Sequence, residues 1–281
     1  MNPKIPIIAI IGPTAVGKTE LSIKLAESCH GEIISVDSIQ VYRDAPILSG
    51  AVTTQEMRGV RHHFVGHLSA NEEPTNFISS AVRCIKSIHH RGFVPILCGG
   101  SLSLTRPLLF HPFIKQQDLL VISLNCSLDI LGTFIDHRIN QMARDGIQNE
   151  IKHLFELERS DTNSASDTGP AERGAWKAIG YPELRPICCK GVDPERAQEL
   201  FEEGLQLMKA NTREYAKRQL QQLHWAVLPA LTVQMRTCYV LNVESKHKFH
   251  HDVVRPATGK CKRWLALRHR TSLHTRADSR S

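Results

Sequence analysis

The octet Gly12-Pro13-Thr14-Ala15-Val16-Gly17-Lys18-Thr19 has the spacing G-x-x-x-x-G-K-T and follows an apolar run, Ile5–Ile11. Glycines at these places let backbone N–H groups close around phosphate oxygens, at the positive end of a following helix. Lys18 adds a point charge, and Thr19 offers a hydroxyl to a Mg²⁺ bridging the phosphates. The expected ligand therefore carries a di- or triphosphate, while the motif is silent about the reaction. Asp37, closing the next apolar stretch, is the second residue with chemistry to offer. A carboxylate there can take a proton from a nucleophile, or it can cap a turn.

These residues need elements to hold them. Ile5–Ile11 reads as a parallel strand covered on both faces. Lys18 to about Cys29 has helical periodicity, with Gly31 where a C-cap belongs. Glu32–Val36 is a short strand ending at Asp37, and Asn76–His89 is a helix with Ile78, Val82 and Ile85 on one face. Phe93–Cys98 is a third strand, ending in Gly99-Gly100, and Leu119–Leu124 is a fourth. Ser127 then caps a helix carrying Leu131, Ile135, Ile139 and Met142, closed at Gly146. The polar stretch Ser160–Gly169 is expected to be a mobile loop, and Pro194–Leu223 is the longest helical segment. On that helix Lys209, Arg213 and Lys217 fall at i, i+4 and i+8 in one basic stripe.

Strands alternating with helices predict an α/β fold: a P-loop NTPase-like parallel sheet flanked by helices, with a small helical C-terminal part. The expected division is a P-loop α/β core over 1–126 and a helical part over 127–228 completing the active-site channel. A basic tail over 229–281 is expected to be poorly ordered.

Composition narrows the class. Hydrophobic residues make up 41% of the 281, enough for a globular core. The net charge is +7, yet Ser245–Ser281 holds ten Lys and Arg against two acids, leaving 25 basic and 26 acidic residues before it. Such a tail can neutralise nucleic-acid phosphates, but is more often a solvated end. The eight cysteines form no C-x-x-C pair, which argues against a zinc site. No secretory leader pattern precedes the first strand, and no apolar run approaches the roughly 20 residues that cross a bilayer. The expectation is a cytoplasmic monomer without a membrane partner.

The words around the motif say more. Gly12–Leu21 and Glu32–Arg43 (Glu-Ile-Ile-Ser-Val-Asp-Ser-Ile-Gln-Val-Tyr-Arg) closely resemble the isopentenyltransferase family. The resemblance continues through Arg58–His63, Pro95–Ser101, Asp136–Met142, Lys177–Leu184 and Thr212–Gln219, in family order. It implies transfer of a dimethylallyl group from its diphosphate to the exocyclic amine of adenine, with Mg²⁺ as cofactor. By the same resemblance Asp37 is the base, and Lys18 and Ser101 complete the catalytic set. Gly12, Thr14, Gly17, Lys18, Thr19, Arg138, Lys217 and Arg218 would hold the donor diphosphate. Ser38, Gln40 and Tyr42 would face the acceptor.

The family has a free-nucleotide branch and a transfer-RNA branch. The transfer-RNA enzymes carry a long helical insertion where this chain has only Phe110 to Asp118. The neutral body and the plant-type words Val52-Thr53 and Arg58-Gly59-Val60 point the same way, to AMP, ADP or ATP as acceptor and a cytokinin-forming step. Transfer RNA is the alternative acceptor, and a P-loop kinase of a small metabolite is the reading from another class. Asp44, Ala51, Leu104 and Pro107 depart from the family pattern around the acceptor, which predicts weaker acceptor binding with the donor site kept.

Overall fold

The computed structural model describes residues 4–161 and 172–278, with side chains as far as 268. The Ser160–Gly169 stretch expected to be a mobile loop lies mostly outside them. In chain order the strands and helices begin with β1 (Pro6–Ile11), α1 (Lys18–Cys29), β2 (Gly31–Val36), the single turns α2 (Pro46–Ser49) and α3 (Thr54–Met57), and β3 (His62–His63). Then come α4 (Phe77–His90), β4 (Val94–Gly99), the short α5 (Thr105–Leu109) and α6 (Pro112–Lys115), and β5 (Asp118–Asn125). The last are α7 (Leu128–Arg144), α8 (Ile147–Ser160), α9 (Tyr181–Leu184), α10 (Pro194–Gln222), α11 (Leu228–Val233), β6 (Thr237–Asn242) and α12 (Arg255–Asp278).

The six strands form one parallel sheet in the order β3-β2-β4-β1-β5-β6. Its apolar runs are continuous because both faces are covered. Ile8 and Ile10 of β1 enter one core cluster, with side chains of α1, α7 and α8. Ile7, Ala9 and Ile11 enter the other, beneath α4 and α11. Leu120 and Ile122 of β5 repeat the first side and Leu119 and Val121 the second. The register places Ile8 beside Ile96 on one flank and Leu120 on the other. Parallel strands all end on one edge of the sheet, where ligands of such folds bind. The phosphate loop, Asp37, Ser101 and the segment after β6 therefore share that edge.

Two local expectations shift slightly. The cap of α1 is His30, left-handed at φ 53°, and Gly31 already opens β2. Gly146 is the N-cap of α8 rather than the close of α7, whose cap is Asp145. Pro107 sits at the third position of α5, where a missing N–H costs no helical bond. The Phe110–Asp118 interval holds one helical turn, Pro112–Lys115, and no helical domain.

The larger correction concerns 229–281. Far from a poorly ordered tail, its described part supplies α11, β6 on the edge of the sheet, and α12 packed along α1. Leu120, Val121 and Ile122 pair with Thr237, Cys238 and Tyr239. In α12, Ala257, Cys261 and Trp264 are buried at helical spacing while Lys262 and Arg263 stay exposed. Burying a large apolar side chain contributes roughly 1.5–3 kcal/mol. Exposed charges interact by less than about 1 kcal/mol. The apolar face therefore decides, and the count of basic residues does not.

Candidate active site

The phosphate loop leaves β1 and turns into α1 through two left-handed residues, Ala15 at φ 63° and Gly17 at φ 99°. An added Cβ on Gly17 would stand 2.7 Å from the ring of Phe249, which arrives from the segment after β6. Lys18 Nζ donates to the Pro13 carbonyl at 2.5 Å, folding the ammonium back over the loop. Burial pulls Lys18 down to about 8, opposed by the nearby Cys98 and Asp37 and reinforced by Arg138. A cation held at such cost of burial is what a bound polyphosphate would relieve.

Arg138, on α7, reaches the same place. Its Nη1 donates to Thr14 Oγ1 at 3.2 Å and its Nη2 to the Ser49 carbonyl at 3.0 Å. Burial pulls its pKa down as well, while Asp37 pushes it up. Lys18, Arg138 and Asp37 thus form one electrostatic cluster at the carboxyl edge of β1 and β2. The Asp37 carboxylate is oriented by its own turn: Oδ1 accepts from the Ile39 amide at 2.9 Å and the Gln40 amide at 3.4 Å. The two readings of Asp37, base and turn cap, are therefore compatible, since one oxygen can cap and fix the other in place.

The remaining expected residues divide. Ser101, buried at the end of β4, lies 3.2 Å from the Ser103 hydroxyl. Arg218, exposed on α10, is close enough to Tyr215 to bias its ionisation. Lys217, also exposed, is 3.8 Å from Glu214 on its own helix, and Arg213 of the basic stripe pairs with Asp136 of α7. Gln40 is occupied: Oε1 accepts from Ser35 at 2.8 Å and Nε2 donates to the Gly50 carbonyl at 3.4 Å. Tyr42 is fully buried in the core and its hydroxyl has no hydrogen-bond partner among the described residues. Burial and the charges of Glu73 and Glu72 push its pKa up.

Two residues on α10 join the site without having been assigned a role from sequence. Gln219 is buried, with Oε1 accepting from the Thr14 amide at 2.8 Å and Nε2 donating to the Gly100 carbonyl at 2.7 Å. Tyr215, one turn earlier, lies close enough to Asp37 to feel its charge; burial, then that charge, pushes its pKa up. The spacing of Tyr215, Ala216, Gln219 and Leu220 marks a buried helix face, but it does not reveal what that face grips.

The departures at Asp44 and Leu104 have local explanations. Asp44 Oδ2 accepts from the Ala70 amide at 2.8 Å, and Leu104 packs into the core beneath α4. The donor set also suits Mg²⁺. Among the described residues no cluster of three or more acids, histidines or cysteines forms a protein cage. Mg²⁺ usually keeps waters and binds through phosphates plus one or two protein oxygens, such as the Thr19 hydroxyl.

Comparison with known proteins places this geometry in a lineage. A family model described as IPP transferase matches residues 40–117 and 103–225. A bifunctional cytokinin biosynthesis protein of Fusarium pseudograminearum is 36% identical over 89% of this chain and 51% of its own length. Adenylate isopentenyltransferase 3 of Arabidopsis thaliana is 31% identical over 79% of this chain and 66% of its own. The full-length tRNA isopentenylpyrophosphate transferase of Bacillus halodurans superposes with a TM-score of 0.71 at 25% identity, covering 95% of this chain and all of that one. This chain thus spans about half the length of the fungal relative and about two thirds of the plant one. With the phosphate loop, the Asp37 turn and the Arg138 contact in their places, the chain belongs to the IPP transferase family.

Proposed function

We infer that this protein transfers a dimethylallyl group from dimethylallyl diphosphate to the N6 amine of adenine in AMP, ADP or ATP, a cytokinin-forming step. The observation that carries this reading is the cluster of Lys18, Arg138 and Asp37: two cations for a leaving diphosphate beside one carboxylate for a proton. The amine nitrogen forms its bond to the first carbon of the prenyl chain as the carbon–oxygen bond to the diphosphate breaks. The bonding pair leaves on the diphosphate, where Lys18 and Arg138 meet the developing charge. Asp37 takes the proton from the amine, help that a weakly nucleophilic aromatic amine needs. Mg²⁺, held by the Thr19 hydroxyl and the phosphates, would supply further charge neutralisation. Lys217 and Arg218, exposed on α10, would meet the diphosphate from solvent, and Ser101 would stand at the exit of β4.

Support for a free nucleotide comes from the relatives named for cytokinin and adenylate chemistry and from the single turn between Phe110 and Asp118. Adenosine in transfer RNA is the second reading. It is favoured by the likeness to the Bacillus halodurans enzyme over 95% of the chain.

The test supplies purified protein with dimethylallyl diphosphate and Mg²⁺, and with AMP, ADP, ATP and unmodified transfer RNA in parallel, beside Asp37→Ala. Prenylated nucleotide that disappears in the variant supports the reading. Prenylated transfer RNA alone replaces the acceptor. ADP formed from ATP without any prenylated product replaces the reaction class with a kinase.

A further inference from the structure

Gln219 lies where three segments meet: the phosphate loop, the exit of β4 and helix α10. Its side chain is nearly inaccessible, at 6% exposed. The amide has one sensible orientation, because Thr14 offers it a donor and Gly100 an acceptor. Turning it over would set donor against donor and acceptor against acceptor. Gly100 itself can be nothing larger, since an added Cβ would stand 2.1 Å from the Gly12 carbonyl and 3.2 Å from Gln219 Nε2.

Thr14 is consequently held twice, its backbone by Gln219 of α10 and its hydroxyl by Arg138 of α7. The next residue, Ala15, adopts a left-handed conformation that is strained for a residue with a Cβ. Such strain persists only where the surroundings over-determine it. The strained turn is also what aims successive N–H groups into a phosphate cradle.

We propose that Gln219 is a positioning residue for the donor diphosphate, clamping Thr14 so that the strained Ala15–Gly17 turn keeps its anion-binding shape. One turn away, Gln222 Nε2 donates to the Leu102 carbonyl at 3.2 Å. Helix α10 thereby fixes the donor loop and the loop after β4 relative to each other through one side of its last two turns. The inference rests on the donor-site reading above and adds to it which residue sets the cradle.

Two variants and two readouts test it. Gln219→Leu keeps the volume and removes both bonds. Gln219→Glu keeps the acceptor for Thr14 but faces the Gly100 carbonyl with an oxygen, and recovers a donor only when protonated. Inorganic diphosphate binding, measured by calorimetry with Mg²⁺ on the full chain, is expected to weaken at least about tenfold in Gln219→Leu, the loss of one or two hydrogen bonds. In Gln219→Glu the deficit relative to the parent at the same pH is expected to shrink as pH falls from 8 to 6. Hydrogen exchange across Thr14–Gly17 should quicken in both variants at pH 8. A folded Gln219→Leu protein with parental diphosphate affinity and parental exchange overturns the proposal, as does a Gln219→Glu deficit that does not vary with pH. If the parent binds diphosphate yet prenylates no acceptor, the functional reading fails while the clamp is still judged by these two readouts.

Discussion

Around Thr14 three polar groups are engaged: the amide with Gln219, the hydroxyl with Arg138, and the neighbouring Pro13 carbonyl with Lys18. The segment Ser38–Tyr42 is organised differently. Gln40 spends both ends of its amide bracing Ser35 and Gly50, and Tyr42 is turned into the core. On the proposed reading, the Thr14 side is the donor half, a charged cradle held in place for one constant group, a diphosphate. On the same reading, the Ser38–Tyr42 side is the acceptor half, in which Gln40 braces its own loop and Asp37 is the reacting group.

Asp37→Ala is the sharpest way to separate the two halves. Product formation should fall about 10²–10⁴-fold, the usual worth of a general base. Diphosphate affinity should hold or improve, because a negative charge has left the cradle. A matching loss of diphosphate binding would erase the distinction between the halves. Next comes Phe249→Ala, which removes a buried ring from against Gly17 and should destabilise the protein by about 3–5 kcal/mol, read from the denaturant midpoint.

Lys18 gives a pH signature. Its pKa is lowered to about 8 from 10.5, so its charge is lost as pH rises through about 8 rather than through 10.5. The Michaelis constant for the prenyl donor should climb by up to about tenfold per pH unit above 8, and Lys18→Arg should flatten that climb. The smallest effect is expected at Tyr42→Phe. A buried hydroxyl without a partner is a cost, so stability should rise by up to about 1 kcal/mol and acceptor affinity should not move. A large rise in acceptor Michaelis constant would return Tyr42 to the acceptor site.

The fold was legible wherever one signal dominated. Ile5–Ile11 could only be a two-face strand, and the helix beginning at Lys18 was announced by its own motif. Asp37 and Arg138 stand out through the family words around them, and the structure brings both side chains near Lys18, their roles resting on the proposed function. The family motif sets Tyr42 toward the acceptor, whereas its ring is buried in the core, a direction the neighbouring residues do not disclose. The segment after residue 228 was misread because net charge was weighed above periodicity; Ala257, Cys261 and Trp264 carry the helical pattern amid the Lys and Arg. Gln219 stands inside a family motif that does not disclose its task, since a buried amide declares its partners only when distant segments meet.

The contact between Phe249 and Gly17 also sets an order of events during biosynthesis. Phe249 lies far downstream of Gly17 in the chain, so the ring that covers the loop leaves a ribosome long after the loop itself. At about 5–20 residues per second the interval between them is on the order of 10–50 seconds. Throughout that time the nascent chain holds a phosphate-loop motif whose covering wall has not been made, and the loop is completed only once Phe249 has followed it out.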